Sequence, residues 1–226
     1  MLLRNSYGQD FRFGAILALI SANLLCGQTA QSDPNRWEPA ILAFEAHEKA
    51  EPTATKGIVF IGSSSIRRWD LAKHFPDLPV TNRGFGGSQI ADSTRYADRI
   101  LLPLEPRIVV LYAGDNDVNA GKTTDQVVSD YRAFVAKVHA ALPRTRIVFI
   151  ALKPSLSRWK LVGTMRQVNE AIRAVTAEDS RLIFVDIDGP MIGVDGQPRP
   201  ELFVEDGLHL SAEGYELWTS LVLPHL

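Results

Sequence analysis

Five short runs rich in β-branched and aromatic residues, at 58–61, 79–82, 107–112, 146–151 and 182–185, set the terms for this chain. Most carry apolar side chains at consecutive positions, as parallel strands covered on both faces do. Between them lie segments whose apolar residues recur every three or four positions, the period of a helix with one buried face. Strand alternating with helix five times predicts an α/β domain of three layers, α/β/α, around a five-stranded parallel sheet. In such sheets chemistry gathers at the carboxyl ends of the strands.

The first run ends abruptly in Gly62-Ser63-Ser64-Ser65. Glycine permits a sharp turn, and a serine can cap the helix that follows. Backbone N–H groups at such a turn point outward, so a serine there is either a cap or a nucleophile beside a site that stabilises negative charge. Three later stretches also follow apolar runs: Asn82-Arg83-Gly84-Phe85-Gly86-Gly87, Gly114-Asp115-Asn116-Asp117 and Asp206-Gly207-Leu208-His209. Clustered glycines allow the close backbone approach used by phosphate cradles and oxyanion holes alike. Asparagine suits an oxyanion hole because its amide donates without a proton to lose, although an Asx turn uses the same residue. Asp115 and Asp117 are expected to bond loop backbone rather than a metal. Asp206, three residues before His209, can hold an imidazole by its δ nitrogen and stabilise the imidazolium.

In this order, over residues 57 to 221, the four blocks resemble the SGNH/GDSL hydrolases, a family of esterases and lipases. The resemblance implies a flavodoxin-like strand order 2-1-3-4-5 and hydrolysis of a carboxylic ester with neither cofactor nor metal. It also implies roles: Ser64 as nucleophile, His209 as base, Asp206 as its orienting carboxylate, and an oxyanion hole built from the N–H groups of Ser64 and Gly87 and the side-chain amide of Asn116. Ser63 stands where the family has aspartate, so the support that residue gives must come from elsewhere, and Ser63 and Ser65 stay open as nucleophiles. A flavodoxin-like phosphate or nucleotide binder and a non-catalytic carbohydrate-binding relative are the alternatives. Modest length and the lack of a lid-like apolar insertion lean toward small acyl groups, in simple esters, acetylated sugars or lysophospholipids.

With 226 residues, 46% hydrophobic and a formal charge of −2, the chain has material for one core and no basic run for nucleic acid, which leaves a small-molecule partner. Arg4 and Arg12 before the apolar stretch 13–25 read as a signal peptide over 1–30, with 31–226 as the exported hydrolase domain. That stretch is too short to span a bilayer comfortably. Cys26, the single cysteine, is the alternative point of lipid attachment; cleavage beyond it leaves no thiol.

Helices are expected over 32–52, from the serine turn to about 73, and over 91–102, 123–142, 162–177 and 211–223. His47 is expected on an exposed face, Thr123 or Thr124 as a cap, and His139 bonded to carbonyls at its helix end. Tyr215, Leu217, Trp218 and Leu221 are expected toward the core, and Trp159 near the site mouth as an acyl contact. Residues 187–205 are expected to form an irregular loop leading back to the site.

Overall fold

The computed structural model describes residues 35–226; the expected leader over 1–30, with Cys26, lies outside the described residues. Along the chain come helix α1 (Glu38–Ala50), strand β1 (Ile58–Gly62), the short helices α2 (Ser64–Arg67) and α3 (Leu71–His74), β2 (Val80–Gly84) and α4 (Ile90–Ile100). Next are β3 (Ile108–Tyr112), α5 (Asp115–Asn119), α6 (Thr124–Ala141), β4 (Arg146–Ile150), α7 (Val162–Ala177), β5 (Leu182–Val185) and α8 (Ala212–Val222). The five strands form one parallel sheet in the order β2-β1-β3-β4-β5. Among the described residues no helix is long and apolar enough to cross a membrane.

Alternate residues of each central strand feed two separate cores, as the two-residue period of a strand requires. Val59, Ile61, Val109, Leu111, Ile147 and Phe149 face a layer that contains α1, α4, α6 and α7. Ile58, Phe60, Ile108, Val110, Tyr112 and Val148 face the other, where α8 contributes Tyr215, Trp218 and Val222. This second face has few helices, and the segment expected as a plain loop fills the gap: Ile187, Met191, Leu202 and Phe203 are buried in it. The indole N–H of Trp218 points at Met191 Sδ, 3.3 Å away.

Three elements differ from their expected extents, the first being α1, which starts at Glu38 and ends at Ala50 rather than running over 32–52. The helix after the serine turn breaks in two, because Trp69 sinks into an aromatic cluster with Phe60, Phe75, Tyr215 and Trp218 and Asp70 caps a fresh helix by accepting the Lys73 N–H. Strand β2 runs on through Arg83, whose buried guanidinium pairs with Glu48 of α1. Several expected side-chain placements hold. His47 is exposed and Thr123 caps α6, while Tyr215 and Trp218 are buried and Leu217 and Leu221 pack partly buried beside them. His139 bonds the Thr145 carbonyl, just beyond its own helix.

Gly62 ends β1 with φ at +138°, and a Cβ built on it would stand 1.9 Å from the Tyr112 carbonyl oxygen of β3. Gly62→Ala is therefore expected to destabilise the domain by about 3 kcal/mol or more, read as a fall in the urea midpoint, because both the dihedral and the clash are unfavourable. Asp117 of α5 ties down the start of α4 by accepting the Ile90 N–H at 3.3 Å and pairs with Lys122 at 2.8 Å. Burial pushes its carboxyl up to about 6, against the pull of Lys122. An acid that holds its proton more tightly folded than unfolded loses stability as pH rises, here from about 4 to about 6. Asp117→Asn removes that slope, so Tm of the variant relative to wild type is expected to rise across this range.

Candidate active site

All four loop blocks converge at the carboxyl edge of the sheet, beyond β1, β2, β3 and the long return from β5. The serine turn is fixed by two backbone bonds: the Ser63 N–H donates to the Tyr112 carbonyl, and the Phe85 N–H to the Gly62 carbonyl, each at 2.9 Å. Ser64 then opens α2, with its side chain half-buried. Its Oγ lies 3.0 Å from His209 Nε2, and His209 Nδ1 lies 2.6 Å from Asp206 Oδ2. The second oxygen of Asp206 accepts the backbone N–H groups of Leu208 and His209 at 2.8 Å each. The imidazole bond, joined by these two amides, holds the Asp206 carboxyl well below the usual carboxylate range, so it is ionised wherever a histidine base is neutral. Ser211 caps α8 by accepting the Gly214 N–H, which fixes the turn carrying His209.

The neighbouring serines point elsewhere. Ser65 Oγ accepts from Lys153 Nζ at 3.2 Å, and its carbonyl accepts the Tyr215 hydroxyl at 2.9 Å. Ser63 Oγ is buried and has no partner among the described residues. The turn is thus supported by Lys153 and Tyr215 through Ser65, not by a side chain at position 63.

Asn82, at the head of the second block, secures the same turn from below. Its amide nitrogen donates to the Ile66 and Trp69 carbonyls, and its oxygen accepts the Gly84 N–H. Gly87 follows with φ at +77°, a backbone state that costs other residues strain. The Gly86 carbonyl beside it accepts the Trp37 indole N–H at 2.9 Å, so the entry to α1 props this loop.

Asn116 sits in the first turn of α5, with Nδ2 donating to the Ser88 carbonyl at 3.0 Å and Oδ1 accepting from Arg158 at 2.9 Å. One amide hydrogen remains for a ligand. Asp115 departs from its expected loop-backbone role: its Oδ2 accepts from Lys153 at 3.2 Å and from Arg158 at 3.0 Å. Burial pushes this carboxyl up, yet the two cations outweigh that and hold it below its ordinary value. Asp117 likewise departs from that role, accepting the N–H of Ile90 at the start of helix α4 and pairing with Lys122. No group of three or more histidine, cysteine or acidic residues is placed to hold a metal among the described residues.

Lys153 and Arg158 are the members that sequence reasoning placed in a loop and gave no task. The available signal was a lysine directly after an apolar strand, at the sheet edge where the other blocks meet. Lys153 is 1% exposed, its ammonium ringed by Ser65 Oγ, the Tyr112 hydroxyl and Asp115. Trp159, expected near the site mouth, is half-buried, with its ring under the Arg166 guanidinium of α7.

Similarity to known proteins bears on family and fold. A family model described as the GDSL-like lipase/acylhydrolase family matches residues 60–217. The alpha1 subunit of platelet-activating factor acetylhydrolase IB from Homo sapiens is 32% identical over 200 residues, spanning 83% of this chain and 81% of that protein. Among solved structures, a GDSL-like lipase from Bacteroides thetaiotaomicron superimposes with a TM-score of 0.71 at 20% identity, covering 81% of this chain and 95% of the other. An acetylxylan esterase from Geobacillus stearothermophilus does so with a TM-score of 0.61 at 17% identity, covering 76% and 94%. At those identities the two structures speak for the shared fold alone. The matched family model and the 32% relative go further: the chain belongs to the GDSL-like lipase/acylhydrolase family of ester hydrolases.

Proposed function

We propose that the protein is a serine esterase acting on small acyl esters, acetate above all, through Ser64, His209 and Asp206. The observation that carries this reading is the line of two hydrogen bonds from Ser64 Oγ through the imidazole to Asp206. His209 Nε2 takes the hydroxyl proton as Ser64 Oγ attacks the ester carbonyl, and Asp206 stabilises the imidazolium that forms. Negative charge then grows on the carbonyl oxygen. The N–H groups of Ser64 and Gly87 and the free amide hydrogen of Asn116 receive it, and donors fixed beforehand need no reorganisation. His209 returns its proton to the departing alcohol, which leaves an acyl group on Ser64. Water, deprotonated by His209, repeats the attack and releases the acid.

Preference for acetyl esters is supported by the name of the 32% identical relative, an acetylhydrolase, and by the chain's lack of a lid-like apolar insertion. A phosphate-binding role for the serine turn would leave the Asp206–His209 pair without a task.

Ser64→Ala is expected to lower kcat on p-nitrophenyl acetate by about 10⁴-fold or more, with Tm close to wild type because the side chain is only half-buried. An organophosphate adduct is expected on Ser64 by peptide mass mapping; finding it on Ser63 or Ser65 would overturn the assignment. Across p-nitrophenyl esters from acetate to palmitate, kcat/KM is expected to be highest for acetate. A maximum at long chains would refute the preference for small acyl groups.

A further inference from the structure

Arg158 and the buried charges behind it have no part in the proton transfers above, yet they touch both the oxyanion loop and the nucleophile turn. The guanidinium forks. Nη1 donates to Asp115 Oδ2 at 3.0 Å, and Nη2 to Asn116 Oδ1 at 2.9 Å. Asp115 also receives Lys153 Nζ at 3.2 Å, and the same ammonium reaches Ser65 Oγ, next to Ser64.

We propose that Arg158 is a positioning residue for ester hydrolysis: it locks the Asn116 side chain with its amide nitrogen toward the developing oxyanion, and the buried Lys153–Asp115 pair anchors Arg158 in that pose. The inference rests on Asn116 being an oxyanion donor. A primary amide is nearly symmetric in shape but opposite in polarity at its two ends, so packing alone cannot choose its orientation. Turned by half a revolution, Asn116 would aim Oδ1 at the oxyanion, a repulsion in place of a hydrogen bond. In the same flip its nitrogen would face the Arg158 guanidinium and its oxygen the Ser88 carbonyl, two further clashes of like polarity.

Arginine fits this task because its planar fork spans two acceptors at once, which a single ammonium does not. Asp115 is the fixed end of the fork. It sits in the interior, where a carboxylate is held only if its charge is matched, and Lys153 adds to that match at the same oxygen, Oδ2. The guanidinium itself is partly open to solvent, with 13% of its side chain exposed, so its removal leaves the hydrophobic cores intact.

The test is a double-mutant cycle on p-nitrophenyl acetate with wild type, Arg158→Met, Asn116→Ala and the double variant. Asn116→Ala is expected to lower kcat about 100-fold, as loss of one oxyanion donor does. Arg158→Met is expected to lower kcat by about tenfold or more with KM nearly unchanged, typical of a support behind a site residue. In the Asn116→Ala background the same change is expected to lower kcat less than twofold, because there is no amide left to orient. Arg158→Lys, which keeps an ion pair with Asp115 but not the fork, is expected to remain folded and to show the same loss and the same non-additivity.

A full independent loss in the Asn116→Ala background, a change confined to KM, or an unchanged kcat in both Arg158 variants would overturn the inference while leaving the esterase reading intact. An unchanged kcat in Asn116→Ala would instead remove the oxyanion assignment on which it rests.

Discussion

The close approach of Gly62 to the Tyr112 carbonyl is the constraint on which the rest of the site depends. Strands β1 and β3 lie side by side, and the turn after β1 folds directly across the end of β3, where the Ser63 N–H takes the Tyr112 carbonyl. A side chain at position 62 would fill that space. With it empty, the serine turn and the asparagine turn leave the sheet as neighbours, and β2 on the other side of β1 delivers Gly87. Three loops far apart in sequence thus reach one spot without any long insertion.

Around that spot charge is distributed so that each group stays in its working state. Asp206 is exposed, so burial takes little from its charge, and three N–H groups converge on it. Asp115 is the opposite case, an interior carboxylate kept ionised by two cations. Such a pair adds little to net stability, because taking the ions out of water offsets much of their attraction. What it does provide is direction: Arg158 and Lys153 can sit in few other places, and the atoms they touch inherit that order.

Much of this was legible in the sequence. Consecutive apolar residues at 58–61 and 108–112 could only be buried strands, and Asp206 and His209 fell at helix-start spacing, so their mutual geometry was local. What stayed hidden depended on tertiary contacts. Lys153 follows an apolar strand, and no local rule says whether a lysine there turns outward or is held inside by Asp115 and the Tyr112 hydroxyl. The helix after Ser64 looked continuous because its break is caused by Trp69 finding Tyr215 and Trp218 from the far end of the chain. Met191 and Phe203 lie in a stretch with no period at all, yet they complete a core face that lacks helices.

The separation of Ser64 from its base has a consequence for the making of the protein. The two residues are 145 positions apart, and His209 is held by a turn whose helix packs through Trp218 and Tyr215 into the face below the serine. A ribosome delivers Ser64 well before His209. Until helix α8 has docked, Ser64 is an ordinary hydroxyl with nothing to take its proton. In the proposed mechanism the serine therefore becomes reactive only once α8 is in place, and a chain lacking that helix carries no activated hydroxyl.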